Sequence, residues 1–207
     1  MARSKSSARW LKEHRDDVYV QKAKADGLRS RAAFKLEEIV DATTLIKPGM
    51  VVVDLGAAPG GFSQIAAGKV GSRGRVIACD LLPMTPIPRV EFFQGDIRDP
   101  VHLEHLLSLL GQQKADLVIS DMAPNLSGIA DVDQARAVEL AEMALETARM
   151  ALHEGGGFLV KLFHGAGFDP FVAGMRTYFR KVAVRKPKAS RARSREAYVL
   201  ATNYKLV

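Results

Sequence analysis

One cysteine, Cys79, stands in the 207 residues, so no internal disulfide can form and a reducing compartment fits. No run approaches the ~18 consecutive apolar residues that a membrane span requires. The opening MARSKSSARWLKEHR lacks the apolar stretch of a secretory signal, and Glu13, Asp16 and Asp17 argue against a basic transit peptide. Histidines 102 and 105 stand three apart on an expected helix, with no Cys or third His beside them, so no metal site is expected. There is no Gly-x-Ser-x-Gly elbow, no Walker loop and no internal repeat. These absences leave a soluble, cytoplasmic, monomeric protein as the expectation, with no membrane partner.

What is present is an uneven charge. The net charge is +7, but residues 1–38 carry +4, residues 39–174 carry −6 and residues 175–207 carry +9. Two basic ends on an acidic body favour a polyanion, most plausibly nucleic acid, because each neutralised phosphate releases counterions. A fold that brought the two ends together would make one surface of them.

Hydrophobic spacing supplies an order of elements. Residues 27–43 carry apolar groups at helical spacing, and Lys47-Pro48-Gly49 ends that helix. MVVVDL (50–55) is a buried strand, followed by a Gly-rich turn and the helix FSQIAAGKV. RVIACD (75–80), VEFFQGD (90–96), ADLVISD (115–121) and FLVKLF (158–163) read as further strands. Helices are expected over 99–111, with Asp99 as N-cap and Pro100 in the first turn, and over 132–156 and 168–179. KVAVRK (181–186) and EAYVLATNY (196–204) have no helix between them and should pair antiparallel. The chain therefore reads as a basic, partly mobile N-terminal arm or helix (1–30) and one α/β domain (31–207): a mostly parallel, seven-stranded, Rossmann-like sheet with an antiparallel edge hairpin and helices on both faces.

Ligands of such sheets bind beyond the carboxyl ends of the strands, where Asp54, Asp80, Asp96, Asp121 and Lys161 all fall. A single Asp there is a good turn cap; four point to a ligand rich in hydroxyl and amino donors, preferably cationic. The loop Gly56-Ala57-Ala58-Pro59-Gly60-Gly61 departs from the dinucleotide pattern G-x-G-x-x-G, and Asp54 beside it would repel phosphate. S-adenosylmethionine (AdoMet), a nucleoside sulfonium, fits better. Asp54 and the loop glycines Gly56 and Gly60 would border it, with close approach at Gly60 and Gly61 by its methionine part. Asp80 would accept from the ribose hydroxyls and Asp96 from the adenine amino group, with Leu81 and Ile97 beside the ring. Phe62 reads either as a neighbour of the ligand or as core.

Lys161 lies in an apolar strand near its ligand-binding end, and Asp121 opens DMAPN, which lacks the aromatic that clamps a base for amino-group methylation. A hydroxyl is the better target. ARWLKEH (8–14), YVQKAKADGLRSRAAFKLEEI (19–39), DLGAAPGGFSQ, ACDLLPM, QGDIRD, SDMAPNLSG, VKLF and VRKPKASRARSREAYVLA (184–201) resemble the FtsJ/RrmJ family along nearly the whole chain. That resemblance implies an AdoMet-dependent ribose 2′-O-methyltransferase acting on a uridine of the A-loop of large-subunit (23S) rRNA in the assembled 50S subunit. It places the family's Lys-Asp-Lys-Glu set on Lys35, Asp121, Lys161 and Glu196, and its cofactor residues on Gly60, Asp80, Asp96 and Asp121. Phe62 departs from it, standing where a bacterial member carries Trp. The tRNA-directed branch of the family and an RNA-binding assembly factor without catalysis are the competing readings.

Methyl transfer from a sulfonium releases a neutral thioether, so positioning of the ribose oxygen should dominate. Lys161 is the candidate base; an ordinary lysine, at ~10.4, is charged at pH 7, so the alternative is a charged group that orients the hydroxyl. Candidate phosphate partners are Arg9, Lys12, Arg29 and Arg31 at one end and Arg185, Lys186, Lys188, Arg191, Arg193 and Arg195 at the other. Trp10 could stack on a base or pack within the N-terminal region.

Overall fold

The computed structural model describes residues 17–191 and 193–206. Helix α1 (Val18–Ala25) opens them; its N-cap Asp17 accepts a hydrogen bond from the Tyr19 amide at 3.0 Å. Helix α2 (Ala32–Thr43) follows, and its buried face of Leu36, Ile39 and Val40 also carries Lys35 inward. Then come β1 (Val51–Leu55), α3 (Gly61–Val70), β2 (Arg75–Asp80), β3 (Val90–Gln94), α4 (Pro100–Leu110), β4 (Ala115–Ser120), α5 (Ala130–Ala151), β5 (Leu152–Phe163), α6 (Phe168–Tyr178), β6 (Phe179–Arg185) and β7 (Glu196–Tyr204). Asp99 caps α4 and Pro100 occupies its first turn, because that turn has no use for the missing amide proton.

The strands form one sheet in the order β3-β2-β1-β4-β5-β7-β6. Only β7 is reversed: it pairs antiparallel with both β5 and β6. The terminal hairpin is therefore at one edge, as expected, with its second strand turned inward. Alternation along the strands separates two cores. Val51, Val53 and Leu55 face the cluster that α4, α5 and α6 cover. Val52, Leu117, Ile119, Leu159 and Tyr198 face α2 and α3.

Helix α1 lies within the stretch expected as a basic arm or helix and packs Ala23 against Phe34 and Ala189. One element differs from the sequence reading. The long helix ends at Ala151 rather than 156, and β5 begins at once with Leu152, opposite Ala115. Leu117 next pairs with Gly157, so residues 153–156 bulge out of the ladder. Gly155 there holds φ +86°, which a helix cannot contain. Among the described residues no helix is long and apolar enough to cross a membrane.

Candidate active site

Strand register builds the centre of the site. Ser120 of β4 stands opposite Val160 of β5, so Asp121 comes opposite Lys161, and Lys161 stands opposite Tyr198 of β7. All three project toward α2 and α3, where Ile119, Leu159 and Leu200 line the preceding row. Glu196, two residues before Tyr198, shares its face by the period of a strand. Lys35 descends on this row from α2.

The contacts are close. The Lys161 ammonium donates to the Asp121 carbonyl oxygen at 2.6 Å and lies 3.0 Å from its Oδ1. Tyr198 Oη donates to the same Oδ1 at 2.6 Å. The Lys35 ammonium lies 2.6 Å from Glu196 Oε1, an ion pair out of line for a hydrogen bond, and 5.9 Å from the centre of the Tyr198 ring. Burial pushes the Asp121 carboxyl up, but the charges of Lys161 and Lys35 and the hydrogen bonds from Tyr198 and Lys161 outweigh it and hold it below its ordinary value. Desolvation largely offsets the attraction in buried ion pairs, so two of them at the strand tips do little for stability. Their place argues for chemistry.

Beside this row an open cleft of about 550 Å³ runs along the strand tips. Six of the residues expected to hold a cofactor line it: Gly56, Asp80, Leu81, Asp96, Ile97 and Asp121. Asp80 already accepts from the Ala58 amide (2.9 Å) and the Leu82 amide (2.7 Å), one per oxygen, which leaves acceptor capacity on each. Asp96 is held by Arg98, whose Nε lies 2.9 Å from both carboxylate oxygens; that hydrogen bonding keeps its carboxyl below the ordinary value. His102 accepts the Asp96 amide proton at 3.2 Å.

The other three lie elsewhere. Asp54 is fully buried and takes a hydrogen bond from Ser63 Oγ at 2.6 Å, while its Oδ1 has no partner. Burial, with smaller contributions from the charges of Asp121 and Asp80, pushes its carboxyl up to about 7. Phe62 is core, its ring 6.0 Å from that of Tyr198. Gly60, at φ +109°, is covered by protein: a Cβ there would stand 2.7 Å from Ile87 and 2.9 Å from Arg29 and Met84. A Cβ on Gly61 would run into Ser30 Oγ, and one on Gly56 into Met122. The Gly-rich loop thus admits the chain's own segments as well as any ligand.

The two basic ends meet. Arg31 bonds to Asp17 and to the Ala189 carbonyl, Arg191 Nε lies 3.3 Å from the same Asp17 carboxylate, and the Lys188 amide donates to Glu38 at 2.8 Å. The β6–β7 loop is thereby pinned onto α1 and α2, beside the Lys35–Glu196 pair. Arg29 instead binds the Thr85 and Pro86 carbonyls at 2.6 Å. Lys186 donates to the Ser194 carbonyl at 2.6 Å and Arg185 to the Val184 carbonyl at 3.2 Å. The Arg195 carbonyl accepts from His164, whose ring packs 4.1 Å from Phe168. Arg193 precedes that turn. Arg9, Trp10 and Lys12 lie outside the described residues. Cys79 is core, and burial pushes its thiol up to about 12. Among the described residues no group of His, Cys, Asp and Glu is placed to hold a metal.

The sequence reading missed Tyr198 and Arg98. The period of two from Glu196 would have found Tyr198.

A sequence model of the FtsJ-like methyltransferases matches residues 28–204. The ribosomal RNA large subunit methyltransferase E of Legionella pneumophila (strain Corby) is 55% identical over 206 residues, covering 100% of both chains, and the protein of that name from strain Paris matches equally. A Plasmodium falciparum structure described as a ribosomal RNA methyltransferase superposes with a TM-score of 0.78 at 27% identity, over 85% of this chain and 98% of that one. A Clostridium thermocellum structure described as an rRNA methylase shares the fold, with a TM-score of 0.56 at 19% identity over 81% of this chain and 96% of that one. Matched by family, by full-length relatives and by fold, the chain belongs to the FtsJ-like methyltransferases.

Proposed function

We propose that this protein transfers a methyl group from AdoMet to the ribose 2′-OH of a uridine in the A-loop of large-subunit (23S) rRNA, within the assembled 50S subunit in the cytoplasm. The observation that carries the reading is the in-register row Asp121–Lys161–Tyr198, with Glu196 and Lys35 beside it, at the lip of a nucleoside-sized cleft. The name of the full-length relatives supports the rRNA. The nucleotide and the stage of assembly rest on the family resemblance.

The cleft suits AdoMet. Asp80 keeps acceptor capacity for two ribose hydroxyls, Asp96 stays a carboxylate able to accept from an exocyclic amine, and Leu81 and Ile97 offer apolar surface between them. Bound there, AdoMet supplies an activated methyl on a cationic sulfur. The Lys161 ammonium spends one hydrogen bond on the Asp121 carbonyl and pairs with its carboxylate, which leaves donor capacity to hold the attacking ribose oxygen. Lys161 would hold the ribose oxygen in line with the methyl that AdoMet supplies, and Asp121 or water would take up the hydroxyl proton. Holding the oxygen in line is the main contribution. The pinned basic loop that leads into Glu196 would carry the flanking phosphates.

The test is incubation of labelled AdoMet with 50S subunits from cells lacking the gene, followed by mapping of ribose 2′-O-methyl groups. Label on one A-loop uridine is expected; label on a base, on tRNA alone, or nowhere overturns the reading.

A further inference from the structure

Tyr198 is the largest of the fully buried side chains, and its hydroxyl is spent on one contact. That contact is Asp121 Oδ1, at 2.6 Å, the same oxygen that Lys161 approaches at 3.0 Å. Asp121 lines the cleft, and with Oδ1 drawn inward by two donors the second oxygen, Oδ2, is left for a ligand. The ring has its own contacts: Phe62 at 6.0 Å on one side and the Lys35 ammonium at 5.9 Å. A residue serving only to fill the core at this point would need no hydroxyl, and burying one costs free energy unless it is bonded.

We propose that Tyr198 is a positioning residue for methyl transfer: through Asp121 Oδ1 it fixes the carboxylate so that one oxygen holds Lys161 and the other faces the cleft. The proposal rests on the reaction given above. Without the phenol, Asp121 turns about its last bond, the Lys161 ammonium loses its fixed anchor, and the attacking oxygen is held less often in line. The charged groups facing Asp121 are Lys161 and Lys35 and, on the adjacent β1, Asp54; Glu196 and Arg31 face Tyr198. Tyr198 is the neutral donor among them.

Tyr198→Phe tests this, since it keeps the ring and removes the O–H. Two readouts are measured. In protein labelled with ¹³C at the aspartate carboxyl, the Asp121 signal, assigned by its loss in Asp121→Asn, is titrated with pH in the wild type and the variant. In turnover with AdoMet and hypomethylated 50S subunits, kcat and the KM for AdoMet are compared. The Asp121 midpoint is expected to rise, and kcat to fall about 10- to 100-fold, the worth of a hydrogen bond to a charged group. The KM for AdoMet should stay nearly constant, the mark of an interaction made in the transition state. An unmoved midpoint, or a kcat within about twofold of wild type, overturns the proposal. A wild type that methylates no ribose refutes the proposed reaction instead, and the carboxyl titration still decides whether Tyr198 governs Asp121.

Discussion

Replacing Asp54 by Asn should make the protein's stability less sensitive to pH, by an amount the geometry sets. Asp54 is fully buried and its carboxyl is pushed up to about 7, from 3.8 in the open chain. When the folded value is the higher one, the unfolded chain ionises first. The stabilising contribution of the neutral carboxyl is therefore complete below pH 3.8 and is lost as pH rises through about 7. At 1.36 kcal/mol per unit the whole effect is about 4 kcal/mol, and about 3 kcal/mol of it falls between about pH 5 and about pH 8.5. Asn keeps an acceptor for the Ser63 hydroxyl, which now bonds Asp54 at 2.6 Å, and cannot ionise. Its amide N–H₂ is set where Oδ1 has no partner, a penalty of about 1–3 kcal/mol that does not vary with pH and so drops out of the comparison. The assay is urea unfolding followed by far-ultraviolet circular dichroism, wild type against Asp54→Asn, across that pH range. The stability difference, variant minus wild type, should grow by about 3 kcal/mol toward alkaline pH. A difference that stays flat refutes the claim that Asp54 is held partly protonated at neutrality.

Lys161→Ala should lower methyl transfer by about 100- to 1,000-fold while AdoMet binding, measured by calorimetry, stays near wild type, because Lys161 is not among the residues lining the cleft. Glu196→Ala should cost less, since it pairs with Lys35 and not with Lys161; equal losses in the two variants would mean that the row works as one unit. Gly61→Ala should destabilise by about 1–3 kcal/mol in thermal unfolding, and adding Ser30→Ala should restore most of it, because Ser30 Oγ is the atom a Cβ would strike. No recovery in the double variant would place the strain at the Ala33 amide, 3.2 Å away.

The fold was legible where hydrophobic periodicity met clear punctuation. VVVDL, bounded by Pro48-Gly49 and the Gly-rich turn, is buried along its whole length, and the absence of a helix between β6 and β7 foretold their antiparallel pairing. Their order in the sheet was not legible, because β7 enters between β5 and β6 through contacts that no local pattern encodes. An Ala, Leu and Met stripe at helical spacing carried the α5 pattern past Ala151; partnering with Ala115 overrode it. The bounds of helix α1 within the basic N-terminal stretch were not legible, because Val20 and Ala23 are its only buried residues, too few to give a periodic signal.

The site divides on the same line. Strand ends identified Asp80, Asp96, Asp121 and Lys161, since a sheet's topology alone brings those ends together. What each carboxylate does with its two oxygens is decided by neighbours that arrive from elsewhere: Arg98 on Asp96, the loop amides of Ala58 and Leu82 on Asp80, Ser63 on Asp54. The difference matters for charge. Four strand-end acids suggested a ligand rich in donors and preferably cationic. Burial brings Asp54 close to half-protonated at neutral pH, Lys161 pairs with Asp121 and Arg98 with Asp96, so of the four strand-end acids Asp80, held by two amides, is the one at the cleft with no cation paired to it among the described residues. A cationic methyl donor, if the proposed function holds, would be gripped there mainly through its nucleoside, and its sulfonium would meet a centre whose charges are already balanced in pairs. Such a centre gains little by binding the donor's charge and loses little when a neutral thioether replaces it, which suits a site that must release its product.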